Sequence, residues 1–181
     1  MTALFVTCAA CGGPESAAGP PATAAPAVTE RESTCGERGF LSTELYGAIA
    51  APIDWQANDL DCQGMPRPNG EGARLRFAGT AGEQRLAFII AMPELERGVA
   101  SDELSSNVTL IEEGSGRFYS TATLGLCWTD ITSLEVLDEN HDRYAIGGTL
   151  YCVTPLTEVN GDSSVSLSEL DFLGLLDWSA S

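Results

Sequence analysis

Glu158, Asn160, Asp162, Ser166 and Glu169 occupy the first, third, fifth, ninth and twelfth places of the run EVNGDSSVSLSELDF. Those are the oxygen-ligand places of a twelve-residue calcium loop, and Val165 fills its usual apolar eighth place. Two places depart from the pattern. Glu158 stands where a shorter aspartate would reach the ion, and Ser163 stands where glycine makes the sharp bend. The preceding YAIGGTLYCV is β-branched, aromatic and glycine-containing, so no helix is expected to enter the loop. The same residues read equally as a hairpin. Asn160-Gly161 is a strong hairpin turn, and Val165 and Leu167 then alternate with serines. Leu170, Phe172, Leu176 and Trp178 continue the alternation on the other parity, which a bulge near Ser168 reconciles.

Other groups that do chemistry are sparse. His141 is the lone histidine and lies in DENHD, where flanking carboxylates offer either a small metal cluster or a solvated turn. A hydrolytic triad built on it would sit at a hairpin tip, a poor place to hold geometry. GxSxG, HExxH and phosphate-loop motifs are missing from the sequence, so no catalytic residue is assigned. A carboxylate pair for glycoside hydrolysis stays open, because 26 acidic residues always offer pairs. Arg67, Arg74 and Arg76 cluster in GMPRPNGEGARLRF and suit either an anionic ligand or local carboxylates.

All nine basic residues are arginine, and with 26 acidic residues the formal charge is −17. A surface of that sign repels nucleic acid, which is set aside as a partner.

The N-terminus reads as an address. Ala3 to Ala10 is apolar and ends Ala9-Ala10-Cys11-Gly12. A cysteine after two small residues closing an apolar run resembles the lipobox of bacterial lipoprotein precursors. The resemblance covers about eight residues. It implies cleavage before Cys11 and a diacylglycerol on its thiol, with Gly12 suiting passage to the outer membrane. Cys8 rather than leucine sits three places before Cys11, and no basic residue precedes the run. A start upstream of Met1 would account for both, and Cys8 is the alternative lipid site. Asn160-Gly161-Asp162 in turn resembles the calcium loops of dockerin modules, which implies a calcium-linked adhesion or carbohydrate module.

Residues 1–10 are therefore expected to be a signal segment, cut short if translation starts upstream. Residues 11–33 would be the lipidated cysteine and a tether rich in Ala, Pro and Gly, reaching on the order of 60 Å if extended. Residues 34–179 would form one domain. No other apolar run approaches the roughly 20 residues of a membrane helix. Removing Cys8 and Cys11 leaves Cys35, Cys62, Cys127 and Cys152, an even number that suits an oxidising compartment. Three pairings are open; Cys35–Cys62 and Cys127–Cys152 link neighbouring segments and are expected.

The elements that must position these residues read as β throughout. One strand is expected over Glu44–Trp55, broken near Pro52, and a loop over Asp61–Ala73. Strands follow over Arg74–Gly79, Arg85–Met92, Val108–Glu113 and Arg117–Leu124, with at most a helical turn in Pro93–Asn107. Cys127–Leu137 and Arg143–Val153 form a further hairpin before the closing segment. Short strands and Gly-rich turns predict an all-β antiparallel sandwich or half-open barrel built from hairpins and held by two disulfides. Ile53-Asp54-Trp55 and Leu176-Asp177-Trp178 echo each other, which would place tryptophans at matching ends of the core. The function expected is a non-catalytic binding or structural module of an envelope lipoprotein, its partner an envelope protein or glycan. A calcium-linked module and a hydrolase using a carboxylate pair are the alternatives.

Overall fold

The computed structural model describes residues 34–180; the signal, Cys8, Cys11 and tether expectations lie outside them. The described chain is β1 (Phe40–Gly47), β2 (Ala51–Gln56), β3 (Asp61–Pro66), β4 (Ala73–Ala81), β5 (Gln84–Met92), β6 (Leu104–Glu113), β7 (Arg117–Ser120), β8 (Cys127–Val136), β9 (Arg143–Cys152), β10 (Leu156–Glu158), β11 (Ser164–Leu167) and β12 (Leu170–Asp177). All pairings are antiparallel and all twelve strands belong to one sheet. β6 meets β7 and then β8 along successive stretches, β10 and β9 follow them, and β11 and β12 follow in turn beside β1. β2 and β3 are the ends of the sheet, each with a single partner among the described residues. The all-β architecture and both disulfides match the expectation.

Alternation is what sorts the faces. Leu86, Phe88, Ile90 and Met92 of β5 point inward, as do Leu104, Val108 and Leu110 of β6 and Leu170, Phe172 and Leu176 of β12. The sheet rolls over so that β4 faces β2 and β12. Phe77 meets Phe172 with ring centroids 5.4 Å apart, and Trp55 meets Phe88 edge-on at 5.9 Å. Glycine makes room for these rings. A Cβ at Gly79 or Gly174 would strike Trp55 or Phe77 inside 3.0 Å.

The parity change in the last segment is resolved by a bulge. Thr43 and Glu44 of β1 face three residues, Ser168 to Leu170, and the Ser168 N–H donates to Glu44 O at 2.9 Å. Three expectations are corrected. Glu44–Trp55 is not one strand but the hairpin β1–β2, because Gly47 takes φ +100° and turns the chain before Pro52. Pro52 lies inside β2, an edge strand, where a missing N–H is tolerated. The expected loop Asp61–Ala73 begins with a strand, β3, which pairs with β4 from Asp61↔Ala78 to Pro66↔Ala73. The expected strand Arg117–Leu124 stops at Ser120.

Tyr119 is the largest fully buried side chain, and its hydroxyl finds no hydrogen-bond partner among the described residues. A buried hydroxyl without a partner costs about 1–3 kcal/mol. Tyr119→Phe is therefore expected to leave stability unchanged or raise it by up to about 2 kcal/mol in urea melts. A loss above about 1 kcal/mol would show that the hydroxyl is bonded after all.

Candidate functional site

The 158–169 segment is held by an arginine 41 residues away. Arg117 enters on β7 opposite Glu112 of β6, and β10 brings Glu158 opposite the neighbouring Tyr119. Arg117 Nε donates to Glu158 Oε1 at 2.9 Å, and Nη2 donates to Glu158 Oε2 at 3.4 Å and to Ser163 Oγ at 3.0 Å. Ser163 Oγ in turn donates to Glu158 Oε2. Arg117 Nη1 lies 3.5 Å from Glu112 Oε2, and the guanidinium stands 5.3 Å from the Tyr119 ring centroid. The Arg117 hydrogen bonds, helped by Ser163, hold the Glu158 carboxyl down at about 2, and Glu158 raises Arg117 in return.

This geometry removes the calcium reading. The first expected ligand is already neutralised by a guanidinium. The loop is a hairpin turn, with Asn160 at φ +63° and Glu158 N–H donating to Ser163 O at 2.8 Å. β11 then runs extended, which leads the chain toward Glu169 away from the turn instead of back over it. Adding excess calcium is expected to leave the melting temperature unchanged, since binding to the native state alone would raise it.

A pH dependence follows from the lowered Glu158. A carboxyl depressed in the folded state contributes stability above its unfolded value, ordinarily near 4.5, and that contribution is lost as pH falls toward about 2. Arg117→Ala removes the main cause. Stability of the variant should depend less steeply on pH between about 4.5 and 2 than that of the parent. Parallel acid limbs in urea melts would contradict the assignment.

His141 sits in the turn between β8 and β9 with φ +57°, and its carbonyl accepts from Arg97 Nε at 3.1 Å and Nη2 at 2.9 Å. Arg97 also pairs with Asp142, and Asp138 Oδ1 accepts from the Asp142 N–H at 2.9 Å. The carboxylates of DENHD thus tie the turn. Among the described residues no group of three or more His, Cys, Asp or Glu is arranged to hold a metal ion.

The arginine cluster separates. Arg76 pairs with Glu113, Arg74 Nη2 contacts Met65 Sδ at 3.0 Å, and Arg67 Nη1 donates to Glu71 O at 3.4 Å. The hub of this outer face is Arg85, which sequence reading passed over. It pairs with both Asp61 and Glu113, and Asp61 is the main cause that raises it. The chain positions of its partners, 24 and 28 residues away, carry no local signal. Ala78 and Ala87 lie on the same outward face, opposite one another, and are fully buried.

Two depressions of the described residues each carry a tryptophan. A polar cleft of about 430 Å³ at the β2–β3 turn is lined by Asp54, Asn58, Asp59, Asp61, Thr80 and Arg85. Trp55 closes it from below, its Nε1 donating to Thr80 O at 2.9 Å. With Arg85 held by Asp61 and Glu113, the lining offers carboxylates, an amide and hydroxyls, the groups that bind a cationic or hydroxyl-rich ligand. A more open groove of about 770 Å³ is bordered by Glu71, Glu94, Glu96, Arg97 and Trp178. The echoed tryptophans thus mark two separate depressions. Comparison with protein-family models, with curated proteins and with solved structures finds no match to this chain in any of the three.

Proposed function

We propose that this protein is an exported bacterial lipoprotein, anchored in the cell envelope through a lipid on Cys11. Its β domain works as a non-catalytic binding or structural module for an envelope protein or glycan. The observation that carries the reading is the state of the cysteines. All four in the described domain are joined, Cys35 to Cys62 and Cys127 to Cys152. Disulfides in a small domain belong to oxidising compartments, and the apolar run ending at Cys11 supplies a route there. Several carboxylates of the described domain are held in ion pairs. Glu112, Glu158, Glu113 and Asp61 are each committed to an arginine.

The test is lipid labelling of the full chain expressed with its leader in a bacterial host. Wild-type protein should take up labelled fatty acid and sediment with membranes. Cys11→Ser should abolish both, while Cys8→Ser should leave both intact. A Cys11→Ser protein that keeps its label, or a wild-type protein that never acquires one, overturns the assignment of the anchor.

A further inference from the structure

The sequence contains two Asn-Gly pairs, Asn69-Gly70 and Asn160-Gly161. Asparagine followed by glycine is the pair most open to spontaneous deamidation, because glycine leaves the following amide nitrogen unshielded. The nitrogen of the glycine loses its proton and attacks the side-chain carbonyl carbon of the asparagine. The bond to the side-chain nitrogen breaks, ammonia leaves, and a five-membered succinimide closes. Water then opens the ring at either carbonyl, giving aspartate or isoaspartate. One water is consumed and one ammonia released, with no oxidant or reductant. The reaction is slowed when the side-chain carbonyl or the glycine N–H is held by a hydrogen bond, and the more so the shorter that bond.

The two pairs differ on both counts. The Gly70 N–H donates to Arg67 O at 2.8 Å, and the Asn69 side chain has long contacts with Glu71, Oδ1 accepting from its N–H at 3.4 Å and Nδ2 donating to its Oε2 at 3.5 Å. The Gly161 N–H also donates to a carbonyl, Glu158 O, but at the longer distance of 3.4 Å. Asn160 is exposed at φ +63°, and its side chain makes no hydrogen bond among the described residues.

We infer that Asn160 is a built-in modification site, converted to aspartate and isoaspartate in the folded protein, while the fold protects Asn69. The change falls on the Arg117 latch. It adds a carboxylate between Glu158 and Asp162, and isoaspartate lengthens the turn by one methylene. The Glu158 carboxyl packs directly against Gly161, where any Cβ would strike it inside 3.0 Å, so a lengthened turn pulls it from Arg117.

The experiment incubates folded full-length protein at mildly alkaline pH and follows each asparagine by peptide mass spectrometry after cleavage at arginine. Arg74 and the arginines beyond it put the two sites on different peptides. The expected result is a gain of about one dalton at 160, mostly isoaspartate, at a rate roughly ten-fold or more above that at 69. In protein held unfolded in urea the two rates should agree within about two-fold, because only the fold separates them. Asn160→Asp should abolish the gain on its peptide. Equal rates in the folded protein, faster conversion at Asn69, or an unfolded-state difference as large as the folded one each overturn the inference.

Discussion

Reduction of both disulfides is expected to unfold the domain at 37 °C. Cys35–Cys62 closes 27 residues and Cys127–Cys152 closes 25. Constraining loops of that length removes chain entropy from the unfolded state worth about 3.5 kcal/mol each. The two together, about 7 kcal/mol, match the whole stability of an ordinary domain, about 5–15 kcal/mol. The bridges do different work in the folded state. Cys127 and Cys152 are direct partners in the β8–β9 ladder, so backbone pairing holds that rung without the sulfurs. Cys35 precedes β1 in a turn outside any ladder, and beside it the Cys62 N–H of β3 donates to Thr34 Oγ1 at 2.9 Å. Replacing Cys127 and Cys152 by serine should therefore lower the melting temperature by about 10–15 °C and leave a native fold. Replacing Cys35 and Cys62 should also free residues 34–39 to hydrogen exchange. A drop of less than about 1 kcal/mol for either pair would refute the entropic account.

Gly64→Val is expected to prevent folding. β3 lies against β12 so closely that a Cβ at Gly64 would fall inside 3.0 Å of Leu175 O and the Leu176 Cα. Both are backbone atoms of a strand fixed on its sides by β1 and β9, so neither can yield without breaking a ladder. Overpacking a close-packed interior costs about 1–3 kcal/mol when side chains can shift, and more when only backbone remains to move. Gly64→Ala should lose at least about 3 kcal/mol in urea melts. As a control, Gly82→Ala lies at an open turn with nothing within 4 Å. Its cost is limited to the strain of φ +61°, about 1–2 kcal/mol. If Gly64→Ala costs no more than Gly82→Ala, β3 does not pack on β12 as described.

These two glycines show what local pattern can and cannot carry. Gly64, between Gln63 and Met65 in a run full of Pro and Gly, reads as a loop residue. Its true role is to let one backbone approach another more than a hundred residues away, which no local cue announces. Gly47 likewise hides the β1–β2 turn, because it stands alone in an apolar run with no second turn residue beside it. Where the determinant is local, the sequence is legible. Asn160-Gly161 makes the expected turn, the parity switch after Leu167 becomes the expected bulge, and the cysteines pair with their sequence neighbours. The oxygen-rich spacing of 158–169 misleads for the opposite reason. It is local and suggestive, yet the cation that answers Glu158 is Arg117, delivered by β7 through pairing with β10. Arg85, Asp61 and Glu113 converge in the same non-local way across β3 to β6.

The central claim is that this domain is made for an oxidising compartment, and thiol titration of native protein tests it most directly. Protein recovered from its own cells should show no free thiol among Cys35, Cys62, Cys127 and Cys152 under denaturing, alkylating conditions. After reduction, four alkyl groups should add to those cysteines. Four alkylated cysteines before any reductant is added, on a chain still bearing Met1, would contradict the account.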